Sequence, residues 1–409
     1  MLLLLVEWLR SLGVKIPFAF TYFSSRMILA SVTALLLTIF LGPRFIKKLY
    51  ELKIGQPVRS VDDCPLLAEL HGKKKETPTM GGVLILSSML VSLLLWMDLR
   101  HIFTWILCST TLCLGVLGGW DDYLKLRYKN SRGLTARKKF GVQIAFSALV
   151  ALYLLYPPLT HMLAGEKMFR APIAKEQTHR SEGRVKQDRN ASQTLSTDEY
   201  IARVYVPFDK DPILVLDGAA KMFAFLLIIL VITGSSNAVN LTDGLDGLAA
   251  GCLVMVSLVL GLFAFFSNHI DLARYLNILY IEGSGEIAVY LLALSGAALG
   301  FLWYNGYPAQ VFMGDTGSLA LGGVLGVSSV LLRREMLLAV AGAIFVAEAL
   351  SVIIQVLSYR YRNKKRVFLC APLHHHFEYK GWPETKVVIR FWIISLLFAI
   401  IAVLSLKFQ

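Results

Sequence analysis

Residues Ser235 to Gly251 read SSNAVNLTDGLDGLAAG, a polar elbow that closes one long apolar run, 219–239, and opens the next, 248–266. Two carboxylates, Asp243 and Asp246, and three glycines stand where the chain would leave a hydrocarbon layer. An apolar run of about 18 residues or more is long enough to cross that layer as a helix. The elbow therefore reads as the link between two membrane helices. Its acids call for a reason, because ionisable groups near a membrane core are costly.

The same alternation of apolar run and polar link extends in both directions. Ten runs qualify, near 24–42, 80–97, 101–118, 141–157, 219–239, 248–266, 287–303, 316–332, 336–357 and 388–406. The chain is 409 residues long, 56% hydrophobic and 17% charged, whereas a soluble domain is roughly 45–50% apolar. These observations predict an all-α polytopic membrane protein of about ten transmembrane helices, one domain over 1–409. The opening MLLLLVEWLRSLGVKIPF has no basic start and no small-residue cleavage site, so it reads as an interfacial segment that is not removed. Five cysteines without CxxC spacing, three of them inside apolar runs, argue against a disulfide framework or a zinc site.

Orientation follows from the basic residues in the links. Links 43–79, 119–140 and 358–387 carry eight, seven and seven lysines and arginines, whereas 98–101, 267–286 and 333–335 carry one, one and two. The first set, the odd-numbered links, is read as cytoplasmic, with both termini periplasmic. Link 164–212, with nine basic and eight acidic residues, is read as an extended periplasmic loop: ARVYVPF at 202–208 predicts a hairpin, and 174–198 reads as disordered. The net charge of +13 is explained by anionic membrane lipid and phosphorylated substrates, with no need for nucleic acid.

Chemistry-bearing residues gather on the odd links. The first ends HGKKKETPTMGG, 71–82, with Lys74 in a cationic cluster ahead of a turn. It is either an anchor at the membrane surface or a lysine aimed at phosphate. The second carries the pair Asp121 and Asp122, then Lys125 and Lys139. The acids are either solvated helix-end charges or a functional site. In the third, Asp243 and Asp246 share a face if the segment is helical, with Asn237 and Asn240 ahead of them. The fourth holds Asn305, Phe312, whose ring suits stacking on a base, and Asp315, which otherwise serves as a helix cap. The fifth has His374, His375 and His376. Three adjacent histidines cannot all face one metal in a regular helix, so they are read as phosphate donors or proton carriers. Five independent bland explanations would have to fall on one face by chance. One cytoplasmic site of carboxylates, lysines, histidines and an aromatic ring suggests Mg2+ with substrate phosphates, and transfer of a phosphorylated group from a nucleotide to a membrane lipid. A transporter would place its acids nearer the bilayer midplane.

TPTMGG at 77–82, GGWDDYLK at 118–125, SSNAVNLTDGLDGLA at 235–249, FMGDTGS at 312–318 and PLHHHFE at 372–378 together resemble the phospho-N-acetylmuramoyl-pentapeptide transferase family. That family lies within the polyprenyl-phosphate N-acetylhexosamine-1-phosphate transferase superfamily. The resemblance implies a multi-pass enzyme of the bacterial cytoplasmic (inner) membrane, in peptidoglycan synthesis. It would pass phospho-N-acetylmuramoyl-pentapeptide from its UDP derivative to undecaprenyl phosphate, giving lipid I and UMP. A sister transferase for another cell-wall polymer is the alternative. It further implies a homodimer, Mg2+ held by Asp315, and catalytic roles for Asp121, Asp122, Asp315 and His374. Lys74, Asp243, Asp246, Asn305 and Phe312 are expected toward the nucleoside, and Asn237 and Asn240 are expected to bind substrate. Lys125, Lys139, His374 and His375 are expected toward phosphate, and His376 is expected to bind substrate.

Overall fold

The computed structural model describes residues 2–15, 17–52, 77–128, 133–165, 168–177 and 192–407. In chain order the helices and strands are α1 (Leu2–Ser11), α2 (Phe23–Glu51), α3 (Gly82–Trp96), α4 (Ile102–Arg127), α5 (Ala136–Leu155), α6 (Pro157–Leu163), β1 (Ala174–Gln177), β2 (Ser192–Leu195), α7 (Thr197–Ile201), β3 (Arg203–Val204) and β4 (Leu214–Val215). There follow α8 (Lys221–Thr242), α9 (Leu248–Ser267), α10 (Ile270–Tyr275), β5 (Tyr280–Ile281), α11 (Ser284–Asn305), α12 (Gly314–Leu331), α13 (Glu335–Ala341), α14 (Ala343–Tyr361), α15 (Leu373–Tyr379) and α16 (Glu384–Leu404).

Among the described residues eight helices are long and apolar enough to cross a membrane: α2, α4, α5, α8, α9, α11, α14 and α16. Two of the ten sequence runs became helices of another kind. The run at 80–97 is the 15-residue α3, and the run at 316–332 is α12, in which every residue from Thr316 to Leu331 is buried. The run at 336–357 is broken at Gly342 into α13 and α14.

α12 is the axis of the bundle. It packs along α4 on one side and α8 on the other, while α11 packs along α2 and α9. A helix enclosed by protein has no polar face to display, so its sequence shows no helical period in hydropathy. The outer helices instead expose large apolar side chains, among them Phe40, Leu149, Phe223, Leu230, Val356 and Leu397. Such a surface suits hydrocarbon and would aggregate in water. Where apolar side chains gain nothing from leaving water, helices associate by close packing of small residues. Gly296 of α11 accordingly lies against the backbone of Ser31.

One buried ion pair crosses this packing. Arg26 of α2 donates to both carboxylate oxygens of Glu286 of α11, at 2.8 and 2.7 Å, and its Nε donates to the Trp96 carbonyl. With both side chains buried, each charge needs these partners. The pair lies at the end of the bundle opposite the odd-numbered polar links.

The all-α expectation is corrected at that same end. β1 pairs antiparallel with both β2 and β5, and β3 pairs with β4. ARVYVPF does enter a hairpin. The reading of 174–198 as disordered fails for 174–177 and 192–198, which form β1, β2 and the start of α7. The remainder of that reading, 178–191, lies outside the described residues. Strands of two to four residues carry too few alternations to be seen in sequence. Salt bridges hold the small layer together, including Arg203 with Glu176 and Lys221 with Asp198.

Candidate active site

At the other end, the C-termini of α4 and α8 meet the N-terminus of α12. The approach is close because Gly118 of α4 has no side chain: a Cβ there would stand 2.1 Å from the Asp315 carbonyl oxygen. One turn later Asp122 reaches across to α12. Its Oδ1 accepts the Asp315 N–H at 3.2 Å, and its Oδ2 accepts the Thr316 N–H at 2.9 Å and the Thr316 hydroxyl at 2.7 Å. A helix start leaves its first N–H groups without partners. Here a carboxylate from another helix supplies the cap, with the favourable charge for a helix N-terminus.

Asp121, on the same turn, is fully buried. Its Oδ1 accepts the Leu134 N–H at 2.6 Å, and its Oδ2 lies 2.8 Å from both Lys125 Nζ and Lys139 Nζ. Asp315 completes the group. Its Oδ1 accepts from Asn240 Nδ2 at 3.0 Å, and its Oδ2 contacts Lys139 and Lys125 at 2.5 and 3.1 Å. One oxygen from each of Asp121, Asp122 and Asp315 lies within 4.8 Å of the others. Three carboxylates thus share two ammonium groups, leaving the cluster short of positive charge. An all-oxygen set of this kind fits a hard divalent cation, and two lysines beside it fit anionic phosphate.

The loop carrying Asp315 is braced from the side. The Phe312 N–H donates to the Pro78 carbonyl, and the Gly81 and Gly82 N–H groups donate to the Phe312 and Met313 carbonyls, each at 2.8 Å. TPTMGG is therefore the splint of the Asp315 loop. Lys74, just before it, lies outside the described residues.

The elbow places its two acids differently from a helical reading. α8 ends at Thr242, and Gly247, with φ at +78°, precedes α9. Without a continuous helix the i, i+3 relation is lost. Asp243 stays beside the acid cluster, and burial, then the negative charges of Asp315 and Asp122, push its carboxyl up to about 7. Asp246 turns away: its Oδ2 accepts the Ala309 N–H at 3.0 Å, and its own N–H donates to Glu384. Asn305 bridges the same frame, accepting from Gly247 and donating to Val311. Asn237 lies one turn behind Asn240 and donates to Gln143 of α5 and to the Thr233 carbonyl.

The three histidines of α15 diverge, as expected of adjacent residues in a helix. His374 is buried against Glu348 of α14. His375 Nδ1 lies 2.7 Å from Glu378. His376 Nδ1 accepts the Leu369 N–H at 3.1 Å, and burial followed by the charge of Lys380 lowers its basicity. His374 comes against the elbow at Gly244.

Beside the acids an apolar groove of about 820 Å³ runs between α4 and α5, lined by Leu112, Val116, Trp120 and Val142, with Lys138 at its wall. Leu134 lines it too and gives its N–H to Asp121, so one wall of the groove abuts the cluster.

Residues 104–333 match the family model for glycosyl transferase family 4, and residues 74–86 match signature 1 of the phospho-N-acetylmuramoyl-pentapeptide-transferases. The chain is 64% identical over 411 residues to the phospho-N-acetylmuramoyl-pentapeptide-transferase of Protochlamydia amoebophila, covering 100% of both chains. It is 44% identical over 410 residues to that of Francisella philomiragia, and 44% over 409 residues to that of Francisella tularensis subsp. novicida, again covering 100% of both. The chain belongs to the phospho-N-acetylmuramoyl-pentapeptide-transferase family. In this family member, signature 1 coincides with the splint that fixes the Asp315 loop, and the glycosyl transferase match runs from α4 to the end of α12. Asp121, Asp122, Lys125, Lys139, Asn240 and Asp315 are brought together. Asp246, Asn305 and Asn237 support the frame around them. Sequence reading missed Thr316, Gln143 and Glu348, three ordinary polar residues in or beside apolar runs.

Proposed function

We propose that the chain transfers phospho-N-acetylmuramoyl-pentapeptide from its UDP derivative to undecaprenyl phosphate, giving lipid I and UMP. The observation that carries this reading is the junction of the Asp121–Asp122–Asp315 cluster with an apolar groove, in a chain 64% identical throughout to a transferase of that name. The groove takes part of the isoprenoid chain and presents its phosphate beside Lys138 and Lys139. The donor diphosphate enters from the elbow side, with Phe312 toward uracil and Asp243 toward the nucleoside.

A phosphate oxygen of the lipid attacks the sugar-side phosphorus of the donor. A new P–O bond forms, the bond from that phosphorus to the bridging oxygen breaks, and UMP leaves with the bond electrons. The lipid phosphate is already largely ionised at neutral pH, so the protein's contribution is positioning and charge compensation. Asp315 and Asp121 would hold Mg2+, with Asp122 at the edge of the set; the ion, when bound, neutralises charge on the diphosphate. Lys125 and Lys139, which otherwise lie on the carboxylates, turn toward the phosphates of donor and acceptor. Asn240 holds Asp315 in orientation. Direct attack requires no protein nucleophile.

The excess of lysine and arginine on the odd links supports an orientation with this end of the bundle in the cytoplasm and both termini in the periplasm, in a bacterial inner membrane. The protein is expected to work there as a homodimer. Purified protein given UDP-N-acetylmuramoyl-pentapeptide or UDP-N-acetylglucosamine, with undecaprenyl phosphate, tests the donor. Turnover of the first supports the reading, and turnover of the second alone overturns it.

A further inference from the structure

Glu348 sits in the second turn of the apolar helix α14, fully buried. A carboxylate there is expensive and is kept where it has a task. Among the described residues the titratable side chain against it is His374, also fully buried. The His374 peptide N–H donates to Glu348 Oε1 at 3.1 Å, and His374 Nδ1 lies 3.2 Å from the same oxygen. That second contact is off the hydrogen-bond line, and a small rotation of the imidazole completes it. The other ring nitrogen, Nε2, has no hydrogen-bond partner among the described residues. It points at the elbow: a Cβ on Gly244 would lie 2.3 Å from it. Glycine at 244 thus leaves the Nε2 end of the ring unblocked, one residue from Asp243 and next to the acid cluster.

We propose that Glu348 is a positioning residue that holds His374 with Nε2 turned to the Asp243–Gly244 corner, toward the donor diphosphate. The proposal rests on the transferase reading above. An ionised carboxylate only accepts hydrogen bonds, so the nitrogen facing it carries a proton. That leaves Nε2 as the outward atom, open to a polar group of the donor diphosphate at the Gly244 corner. The hydrogen bond from the His374 peptide N–H to the same oxygen fixes where the ring starts. A carboxylate behind a functional histidine is the arrangement by which proteins set ring orientation and basicity, and its loss costs on the order of 10- to 100-fold in activity where it supports a metal ligand.

The test compares Glu348→Gln, His374→Gln, the double variant and Gly244→Ala in detergent-purified full-length protein. It measures UMP release, kcat and KM for each substrate, and melting temperature. Glu348→Gln preserves shape and removes the charge. It is expected to lower kcat about 10- to 100-fold, with KM for undecaprenyl phosphate and the melting temperature near wild type. The double variant is expected to match His374→Gln alone, because the two residues act as one unit. Gly244→Ala, which walls off Nε2, is expected to show a loss comparable to His374→Gln. A Glu348→Gln protein at wild-type kcat, or losses that multiply in the double variant, would overturn the positioning role while leaving the transferase reading intact. Absence of UMP release by wild-type protein would overturn that reading and this inference with it.

Discussion

Asp122 was read from sequence as a catalytic acid, and the structure assigns it work that is measurable apart from catalysis. Replacing it with alanine removes the acceptor for two backbone N–H groups and one hydroxyl at the start of α12. Bonds to a charged acceptor contribute about 1.5–3 kcal/mol each, and the three are not additive. The Thr316 hydroxyl is able to reorient, and removing one negative charge relieves repulsion with Asp315. A loss of about 3 kcal/mol is therefore expected, larger than the roughly 1 kcal/mol of an ordinary helix cap. Asp122→Asn keeps one oxygen and is expected to lose less. Thermal unfolding of purified protein in detergent, with Mg2+ and again with EDTA, is the assay. The cap acts without metal, so Asp122→Ala should melt below wild type in both conditions. Wild-type melting in EDTA would refute the capping argument and return Asp122 to a purely metal-linked role.

Three further outcomes are expected. Asp243, raised to about 7, binds a proton in the folded protein that the unfolded chain releases at ordinary carboxylate pH. Its contribution to stability is therefore lost as pH rises from about 4 to about 7. Asp243→Asn should flatten that part of the pH–stability curve in EDTA, and an unchanged curve would contradict the assignment. Gly118→Ala places a methyl 2.1 Å from the Asp315 carbonyl in a contact made of backbone. The two helices must separate, and the cost should reach at least the 1–3 kcal/mol typical of overpacking, with UMP release falling alongside melting temperature. Arg26→Ala leaves Glu286 buried without its partner and should cost about 3–5 kcal/mol, whereas the joint replacement Arg26→Met, Glu286→Leu should recover most of it. Equal melting of the single and joint variants would contradict a buried pair.

Much of the fold was legible because hydrocarbon demands long apolar runs: each of the ten runs contains a helix or, at Gly342, two. What escaped did so for physical reasons. β1 to β5 are too short to alternate visibly, and Arg26 and Glu286 are 260 positions apart in sequence. The cluster of Asp121, Asp315, Lys125 and Lys139 was legible from charge placed at the ends of apolar runs. The separation of Asp243 from Asp246 was not, because it depends on α8 ending at Thr242, ahead of both acids. Nor does an adjacent pair of aspartates tell which one caps a distant helix. Glu348 passed unremarked inside an apolar run, since its partner lies in a different link.

The central claim is that Asp315 and its neighbours support cation-dependent transfer at the mouth of the groove. The direct measurement is UMP release from UDP-N-acetylmuramoyl-pentapeptide and undecaprenyl phosphate, by purified wild-type and Asp315→Ala protein, in Mg2+ and in EDTA. The account predicts turnover by wild type in Mg2+ alone, and none by a folded Asp315→Ala protein. Turnover by that variant within about tenfold of wild type, roughly 1.4 kcal/mol of barrier, would contradict it.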